Sequence, residues 1–565
     1  MIRTFNLVIH FIIIFNVFGL YNFNPYIGTE MGNLKHIELF AGCGGMSLGL
    51  EASGFELVMA NELSPMAGET FSYNLIDENL KLLSEENKES TKVLWLKSQF
   101  DKNDLKSRLR ENPFDYFKGK FSDINSKTDL NKKLVIGSIN DLLEILEKDK
   151  ILLEQLRNQD IDLVSGGPPC QSFSLAGRRE KENQKNLLPL SFARFAGLVK
   201  PKFILLENVK GITSPFTLGD HKYYAWLEVA KAFSLEGYVP ICFMLNSKYF
   251  GIPQNRPRFI LLGIRQDIIS KLQSSFKKES SLNILKSSIK FYDLVHDLER
   301  NLEAISSKDL PLYDIDKFPE FFDGELMPKI ATKKEYFITS EQAINDLIIN
   351  EDEFLIRDGK SEYVNNLDNI FKHETNVKTI NNHQVRNHSF QVKARFRWFQ
   401  ILNSLNGLAP QALKILSGEI EDVEKAKLIF EKIKNKTLLL KDQNGESMMK
   451  IKDYNSFIDY IKSIQTKKHS QRAIKANEPA PAQMTIPDDL CHYSEIQLRT
   501  LTVREMARFQ SFPDWFTFRS KITTGGTQRS FEIPQYTQVG NAVPPLLAFH
   551  LGNVVKNLLN KYKDA

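Results

Sequence analysis

The sequence predicts an α/β fold, and two observations carry this prediction. Short apolar runs alternate with amphipathic helical segments from residue 36 to residue 264, as in consecutive βαβ units. A glycine-rich turn at 40–45 directly follows the first apolar run, which is a common place for ligand binding in α/β proteins. The alternation is lost over residues 265–498, and its missing pieces reappear from residue 499.

The apolar runs give the expected strands in chain order. We predict strands at 36–40, 56–60, 133–137, 161–165, 202–207, 241–246 and 258–264. Apolar residues at helical spacing predict one core-facing helix over 141–157. Residues 75–132 are charged and poor in long apolar runs, so they are interpreted as an insertion between the second and third strands.

The length of 565 residues favours more than one domain, because single hydrophobic cores stop growing well below this size. We expect an α/β domain over 31–264 that contains the insertion 75–132, and a separate domain over 265–498. The C-terminal segment 499–565 is expected to complete the first domain. Apolar content of 42% and charged content of 25% are typical of a soluble globular protein.

Residues 1–30 do not fit this pattern. The run 5–20 is strongly apolar and resembles a signal-peptide core or a short membrane anchor. It is short for a membrane span, and no small-residue cleavage site follows. Since Met31 opens a stretch that leads into the first strand, we interpret 1–30 as the product of a misassigned start codon or as a disordered extension, and expect no stable membrane association.

Charge and cysteine usage restrict the class of protein only loosely. The net charge of +5 permits an anionic partner without requiring one. The cysteines are far apart and form no C-x-x-C pair, which predicts reduced thiols in a cytoplasmic protein and neither a disulfide framework nor a metal site.

One cysteine stands in an unusual place. Gly166-Gly-Pro-Pro-Cys170 follows a predicted strand, and its prolines restrict the backbone that carries the thiol. Covalent catalysis needs a thiolate aimed at one carbon, so Cys170 is a candidate nucleophile. The alternative is a small core cysteine in a loop, since cysteine is often buried.

Two features suit a nucleotide-like ligand. The turn that contains Phe40, Gly42 and Gly44 allows a ligand to approach the backbone closely, and Glu62 follows the second strand, where an acid commonly binds ribose hydroxyls. Each has a simpler alternative, namely a tight βα turn and a solvated carboxylate at a helix start.

A second carboxylate is expected beside the thiol. Glu207 ends a strongly apolar strand, which is unfavourable for an acid unless it belongs to a site. A carboxyl group near apolar walls can have a raised pKa and donate a proton. Arg256 and Arg258, in Gln-Asn-Arg-Pro-Arg at 254–258, suit phosphate or carbonyl recognition. An exposed strand-end glutamate and ordinary surface arginines are the alternatives.

Taken in order, these motifs resemble the cytosine-C5 DNA methyltransferases of bacterial restriction–modification systems. The matching blocks are Phe-Ala-Gly-Cys-Gly-Gly at 40–45, Asn-Glu at 61–62, Gly-Gly-Pro-Pro-Cys-Gln at 166–171, Glu-Asn-Val at 207–209, the 254–258 motif, and blocks at 499–513 and 538–545. The resemblance implies a Rossmann-like, S-adenosylmethionine-dependent methyltransferase core, with 265–498 as a target-recognition domain.

The resemblance also implies a set of cofactor contacts. S-adenosylmethionine would be held by residues from the strand ends and the C-terminal segment, namely Phe40, Gly42, Gly44, Glu62, Ile139, Pro169, Leu188, Asn541 and Val543. One position departs from the family pattern, since Gly137-Ser138-Ile139 stands where the family often has Gly-Asp-Ile. This departure is expected to alter the adenine contact without excluding it.

The implied chemistry assigns roles to four residues. Cys170 would attack C6 of a flipped cytosine, and Glu207 would act at N3 and the exocyclic amine. Arg258 would contact the base carbonyl, and Arg256 would support the phosphate and a neighbouring loop. Gln171 opens a polar stretch, 171–186, that is expected to close over the site.

A basic stretch at 383–398 is the candidate DNA-reading segment. Its cationic residues could engage phosphates or base edges; they are Arg386, Lys393, Arg395 and Arg397, with Gln171 added from the catalytic loop. The alternative is a solvated basic helix packed through Phe390, Phe396 and Trp398, and both interpretations stay open.

The expected partners are double-stranded DNA and a restriction endonuclease that acts on the same site, with the protein itself a monomer. Two other functions are weighed against this one. A related branch methylates tRNA, although it usually needs little target-recognition mass, and a catalytically silent DNA-binding module would not need Cys170, Glu207 and Arg258 together.

Overall fold

A nine-stranded sheet forms the centre of the protein. The computed structural model describes residues 34–169, 187–218, 221–348, 359–373, 379–405, 407–418, 423–443, 445–466, 468, 470–483 and 485–565. The expectations for residues 1–30 therefore lie outside the described residues. In the part of the chain that is described, no helix combines the length and the apolar character needed to cross a membrane.

The strands, in chain order, are β1 (Leu34–Leu39), β2 (Phe55–Glu62), β3 (Val93–Trp95), β4 (Lys133–Ile136), β5 (Leu163–Gly166), β6 (Phe203–Val209), β7 (Phe216–Leu218), β8 (His221–Tyr223), β9 (Tyr238–Asn246), β10 (Gln254–Asn255), β11 (Pro257–Arg265), β12 (Leu312–Asp314), β13 (Thr437–Asp442), β14 (Gly445–Lys450), β15 (Arg472–Ala473), β16 (Ala480–Pro481) and β17 (Leu490–Cys491). The sheet order is β12-β9-β11-β6-β5-β1-β2-β4-β3. β5 pairs in parallel with β1 and β6, and β4 pairs in parallel with β2 and β3. β11 runs antiparallel to both β6 and β9.

The helices, in chain order, are α1 (Gly45–Ala52), α2 (Pro65–Leu75), α3 (Leu80–Glu85), α4 (Leu105–Arg108), α5 (Ile139–Lys148), α6 (Lys150–Arg157), α7 (Leu188–Val199), α8 (Ala225–Leu235), α9 (Ile269–Ser275), α10 (Glu279–Asp297), α11 (Ser340–Ile344), α12 (Glu362–Ile370), α13 (Phe390–Leu402), α14 (Ala409–Ser417), α15 (Val423–Ile433), α16 (Tyr454–Ser463), α17 (Val503–Phe509), α18 (Gln535–Asn541) and α19 (Pro545–Asp564). The predicted α/β class is confirmed.

The predicted helix over 141–157 is in fact two helices. α5 and α6 are separated at Asp149, whose carboxylate accepts a hydrogen bond from the Leu152 N–H at 3.1 Å. An aspartate at this position satisfies a donor that the first turn leaves open, so it starts a new helix and does not continue the old one. The apolar spacing is the same on both helices, which is why the break is not visible in the pattern.

The segment interpreted as an insertion, 75–132, contributes to the sheet itself. β3 pairs with β4 at the sheet edge, and Trp95 and Leu105 pack into a core shared with Phe71 and Leu134. The strand has three residues within a charged stretch, too few for an alternating pattern to be recognised. The insertion is therefore an extension of the sheet.

The sheet and its hydrophobic core extend past the predicted domain boundary at 264–265. β12 pairs in parallel with β9, and Phe291 and Val295 of α10 belong to the main hydrophobic core. A second hydrophobic core lies between Ala394 and Cys491 and includes Trp398 and Phe457. Residues up to at least Asp314 thus belong with the sheet, and the separately packed part begins farther along the chain.

The C-terminal segment returns to the first core. α19 packs against α1, and the contact is close enough to require glycine on α1. A Cβ at Gly49 would lie 2.2 Å from the Pro545 carbonyl oxygen, and one at Gly45 would lie 2.3 Å from the Val543 carbonyl oxygen. This packing brings residues 541–545 to the turn that follows β1.

Candidate active site

The turn after β1 has a backbone that few residues can adopt. Phe40 has a φ of 55°, Gly42 of 56° and Gly44 of 93°. A Cβ at Gly44 would lie 2.3 Å from the Leu75 Cδ1 atom and 2.9 Å from the Phe71 Cδ2 atom, so a side chain there would force both neighbours to shift. At Gly42, by contrast, a Cβ would meet no described atom within 4 Å. The turn is tightly packed on one side and open at Gly42, where a ligand has access to the backbone.

Glu62 lies at the end of β2 and is tied to this turn. One carboxylate oxygen accepts from the Gly42 N–H at 2.8 Å, and the other accepts from the Ser64 N–H at 2.8 Å. Burial raises the pKa of Glu62, and these two hydrogen bonds oppose the rise. The structure thus brings together Gly42 and Glu62, two of the positions predicted to contact the cofactor, which follow different strands.

A buried acid beneath the turn was missed by the sequence reasoning. Glu38 of β1 accepts from the Ser47 N–H at 2.9 Å and contacts the Ser47 hydroxyl. Burial raises the pKa of Glu38 to about 8. The available signal was an acid inside the apolar run that forms β1, the same signal that identified Glu207.

Two of the positions predicted to contact the cofactor, Ile139 and Leu188, lie at helix starts. Ile139 begins α5 and is buried, and the Ser138 hydroxyl caps that helix by accepting from the Asn140 N–H at 3.2 Å. Leu188 begins α7 and packs partly against the main core. Ile139 follows β4 and so lies on the same edge of the sheet as Glu62.

The C-terminal positions predicted to contact the cofactor lie beside α1. Asn541 ends α18 and is exposed, while Val543 is buried with its carbonyl against Gly45. The Cys43 thiol approaches the Gln538 carbonyl oxygen at 3.7 Å, and burial raises the pKa of that thiol. The 40–45 turn and the 538–545 segment therefore form one structural unit.

Glu207 and Arg258 form a buried ion pair on neighbouring strands. Glu207 of β6 lies opposite Ile260 of β11, which places Arg258 near the same strand end. The Arg258 Nε atom lies 2.7 Å from Glu207 Oε1, and the two side chains are only 9% and 10% exposed. Burial lowers the pKa of Arg258 and the Glu207 carboxylate opposes this, so the guanidinium stays charged.

The Gly-Gly-Pro-Pro corner is held against this pair. Gly166 of β5 pairs with Leu206 of β6, and the Asn208 side-chain amide donates to the Pro168 carbonyl at 3.0 Å. A Cβ at Gly167 would lie 3.2 Å from Glu207 Oε2. Pro169 is the last described residue of the corner and is exposed. Cys170 and Gln171 lie outside the described residues, directly after a corner that borders Glu207.

Arg256 is placed differently from Arg258. Its guanidinium is buried and donates to the Gly540 and Ala542 carbonyls at 3.0 and 3.1 Å, and its main-chain N–H donates to the Asn246 side chain at 3.0 Å. The structure gives Arg256 contacts with the loop between α18 and α19. With 2% exposure, it does not present this guanidinium to a phosphate at the surface.

The cations of the basic stretch 383–398, the candidate DNA-reading segment, are largely engaged within the protein. Arg386 pairs with Asp488, and Lys393 pairs with Glu446 at 3.1 Å. Arg395 donates to the Ile464 carbonyl at 3.0 Å. Arg397 is buried and pairs with Glu495 at 2.8 Å.

The aromatic residues of this stretch form packing contacts. Phe396 and Trp398 lie in the second core, and Phe390 packs against it. This is the arrangement that the packing interpretation expected. Of the four cations, Arg386 and Lys393 keep 35% and 38% of their side chains exposed, which leaves them accessible to a partner.

Comparison with known proteins agrees with the order of these motifs. A family model described as C-5 cytosine-specific DNA methylase matches residues 34–101 and 129–557. The type II methyltransferase M.DdeI from Desulfomicrobium norvegicum is 25% identical over 514 residues, covering 91% of this chain and 86% of its own length. M.XorII from Xanthomonas oryzae pv. oryzae is 24% identical over 527 residues, covering 93% and 85%.

Among solved structures, the S. pombe Dnmt2 methyltransferase covers 93% of this chain and 99% of its own, with 14% identity and a TM-score of 0.41. The family match spans most of the chain, including every motif block at which the sheet edge and the C-terminal segment meet. The chain belongs to the C-5 cytosine-specific DNA methylase family, and it is a DNA cytosine-5 methyltransferase.

Proposed function

We propose that this enzyme transfers a methyl group from S-adenosylmethionine to C5 of a flipped cytosine within a specific duplex DNA sequence, through a covalent bond between Cys170 and C6. The observation that carries the proposal is the Glu207–Arg258 pair at 2.7 Å, bordered by the Gly166–Pro169 corner from which Cys170 follows. An acid and a cation side by side match the polar edge of a cytosine, which presents a ring nitrogen next to a carbonyl.

The residues that follow β1, β2 and β4 at the same edge of the sheet suit the cofactor. The open side of Gly42 admits a close backbone approach, the Glu62 carboxylate suits ribose hydroxyls, and Ile139 offers an apolar contact for the adenine. The remaining contacts would come from Phe40, Gly44, Pro169, Leu188, Asn541 and Val543. When bound, S-adenosylmethionine supplies an electrophilic methyl group.

The protein's own groups would make the cytosine reactive. C5 is a poor nucleophile while the ring is aromatic, so the Cys170 thiolate forms a bond to C6 and electron density moves onto C5 and N3. Glu207 stabilises the proton at N3 and the exocyclic amine, and Arg258 donates to the base carbonyl. After C5 is methylated, loss of its proton to a base re-forms the double bond as the C6–S bond breaks.

DNA contact would come from several parts of the chain. The target base must leave the stack, which costs a few kcal/mol. We assign Gln171 and the stretch after it to closure over the flipped base. Arg386 and Lys393 are the partly exposed cations that exchange their carboxylate partners for phosphates, whereas Arg395 and Arg397 support the fold of this region.

The biological role that we propose is protection of host DNA in a restriction–modification system. M.DdeI and M.XorII are named type II methyltransferases, and they match this chain over most of its length. The protein would act in the cytoplasm as a monomer on duplex DNA, with a restriction endonuclease that recognises the same sequence as its counterpart.

The test is identification of the methylated nucleoside. The protein is incubated with S-adenosylmethionine and either mixed-sequence duplex DNA or structured RNA. The nucleic acid is then digested to nucleosides, which are separated by chromatography and identified by mass spectrometry. We expect 5-methyldeoxycytidine from DNA, lost in Cys170→Ala and retained in the control Cys242→Ala, which removes a buried thiol of β9. Methylcytidine from RNA alone would support the tRNA branch, and DNA binding without any methylated product would support the silent module.

A further inference from the structure

A narrow cleft lies at the edge of the sheet beside the positions expected to hold the adenine. It is lined from two sides, by Leu63 and Ser138 after β2 and β4, and by Gln99 and Asn112 of the 75–132 segment. β3 pairs in parallel with β4, and β4 with β2, so the carboxyl ends of all three strands meet at one edge. β3 therefore brings residues 96–99 to the cofactor side of the sheet.

The loop 96–99 is fixed against the end of β4 and the residues that follow it. The Leu96 N–H donates to the Ile136 carbonyl at 2.8 Å, one residue before Gly137. A Cβ at Gly137 would lie 2.7 Å from the Leu96 Cβ, so the two backbones are in direct contact. Lys97 pairs with Asp141 in the first turn of α5. The loop is thus a fixed wall of the cleft.

A second tie brings Asn112 to the same wall. Glu111 accepts hydrogen bonds from the Ser98 hydroxyl and from the Gln99 main-chain N–H, both at 3.0 Å. The Asn112 side-chain oxygen accepts from the Phe114 N–H at 3.0 Å, and among the described residues its NH₂ group has no hydrogen-bond partner. The tie at Gln99 uses only the main chain, so its side-chain amide is not committed by Glu111.

The cleft borders the one position where the chain departs from the family pattern. Ser138 stands where an acid is common, and its hydroxyl accepts from Asn140 as the cap of α5. Adenine presents an amino donor at N6 beside ring-nitrogen acceptors, and an Asn or Gln amide, with one acceptor and one donor group, matches that pattern.

We propose that Gln99 and Asn112 recognise the amino edge of the cofactor's adenine, beside Ser138, whose hydroxyl oxygen already accepts from the Asn140 N–H. This inference rests on the proposed use of S-adenosylmethionine and names residues that determine specificity at that site. Asn112 lies in residues 102–128, which the family model does not match, whereas Gln99 lies within the matched range 34–101. The Gln99 side-chain oxygen accepts a hydrogen bond from the N6 amino group, and the Asn112 NH₂ group donates one to a ring nitrogen.

The experiment compares two ligands by calorimetry on the intact protein. S-adenosylhomocysteine carries the N6 amino group, whereas S-inosylhomocysteine carries an oxygen there and reverses the hydrogen-bond pattern. We expect wild type to prefer S-adenosylhomocysteine, and Gln99→Leu and Asn112→Leu each to reduce that preference by about tenfold, with little change in affinity for the inosyl ligand. Gln155→Leu, an exposed amide on α6, is the matched control and should keep the wild-type ratio.

A merely structural role for Gln99 or Asn112 would weaken both ligands equally and leave the ratio unchanged. An unchanged ratio in both variants, with wild type binding S-adenosylhomocysteine, would overturn this inference alone. Failure of wild type to bind S-adenosylhomocysteine would overturn the proposed cofactor and this inference with it.

Discussion

Two regions of the molecule bury arginines against carboxylates, and they differ in how completely the charges are satisfied. Arg508 of α17 is fully buried and bonded to both Asp346 and Asp514 as well as to the Ala343 carbonyl. Burial opposes the ionisation of Asp514, but Arg508 outweighs it and lowers the pKa of that carboxyl to about 2. Every donor of this guanidinium has a partner inside the protein.

The pair at the sheet edge is incomplete by comparison. Arg258 approaches one carboxylate oxygen of Glu207 at 2.7 Å, and among the described atoms its Nε is not aligned to donate a hydrogen bond. Both groups border the corner that leads to Cys170. A buried ion pair with every donor satisfied holds segments of the fold together, whereas one with spare hydrogen-bonding capacity at a strand end is suited to a substrate.

The largest effect is expected at the incomplete pair. Glu207→Gln removes the carboxylate that stabilises the proton at N3 of the cytosine. The single-turnover rate of methyl transfer to DNA should therefore fall by about 10²–10⁴-fold. Glu154→Gln, an exposed residue of α6, is the control and should keep the wild-type rate. A Glu207→Gln rate within about tenfold of wild type would contradict the assigned role.

Substitution in the fully satisfied network of Arg508, Asp346 and Asp514 should lower the stability of the fold. Arg508→Met leaves Asp346 and Asp514 buried without their cation, and urea unfolding should show a loss of about 3–5 kcal/mol in unfolding free energy. Lys434→Met disrupts an exposed pair with Glu431 and should change that free energy by less than about 0.5 kcal/mol. Equal effects of the two substitutions would show that the buried network does not hold the fold.

Glu38 offers a third case, a buried carboxyl without a paired cation in the contacts described above. The pKa of Glu38 is about 8 when folded and 4.5 ordinarily, so the unfolded chain releases this proton at lower pH than the folded protein does. The contribution to stability is therefore present below about pH 4.5 and is lost as pH rises towards 8. Glu38→Gln should flatten this decline, by up to a few kcal/mol, in unfolding measured from pH 5 to pH 8. The same slope in wild type and Glu38→Gln would refute the raised pKa; exposed Glu85→Gln is the control.

The smallest effects on stability and DNA binding are expected for substitutions in α13, the helix that carries Lys393 and Arg397. Arg397→Met should lower stability by about 1–3 kcal/mol, because the partly buried Thr437 carbonyl loses its donor. Lys393→Met should leave stability within about 0.5 kcal/mol and reduce the salt dependence of DNA binding by about one phosphate contact. If Arg397→Met changed the salt dependence of DNA binding and Lys393→Met did not, the assignment of Lys393 to DNA contact and of Arg397 to support of the fold would be wrong.

The sequence predicted most of the main sheet because its strands are strongly apolar. The runs at 56–60 and 258–264 lie within β2 and β11, and the run at 202–207 overlaps β6 from residue 203 onward. β3 and β12 were missed because each has three residues and gains its stability from a neighbouring strand, not from its own pattern. The break at Asp149 was missed because a helix cap is a local hydrogen bond that apolar spacing does not report.

The site was predictable in its parts and not in its geometry. Strand-end position singled out Glu207 and Glu62, but the contact between Glu207 and Arg258 depends on the antiparallel register of β6 and β11. The difference between Arg256 and Arg258 could not be predicted from a motif that contains both. It depends on the loop at 540–542, far along the chain, whose carbonyls Arg256 binds.

The most direct measurement is covalent trapping on duplex DNA that carries 5-fluorocytosine, followed by mass spectrometry of the cross-linked peptide. Fluorine does not leave as a proton does, so the covalent adduct should persist. We predict one cross-linked peptide, which contains Cys170, and no adduct in Cys170→Ala. An adduct mapped to Cys43, Cys242 or Cys491, or none from an enzyme that still produces 5-methyldeoxycytidine, would contradict the account.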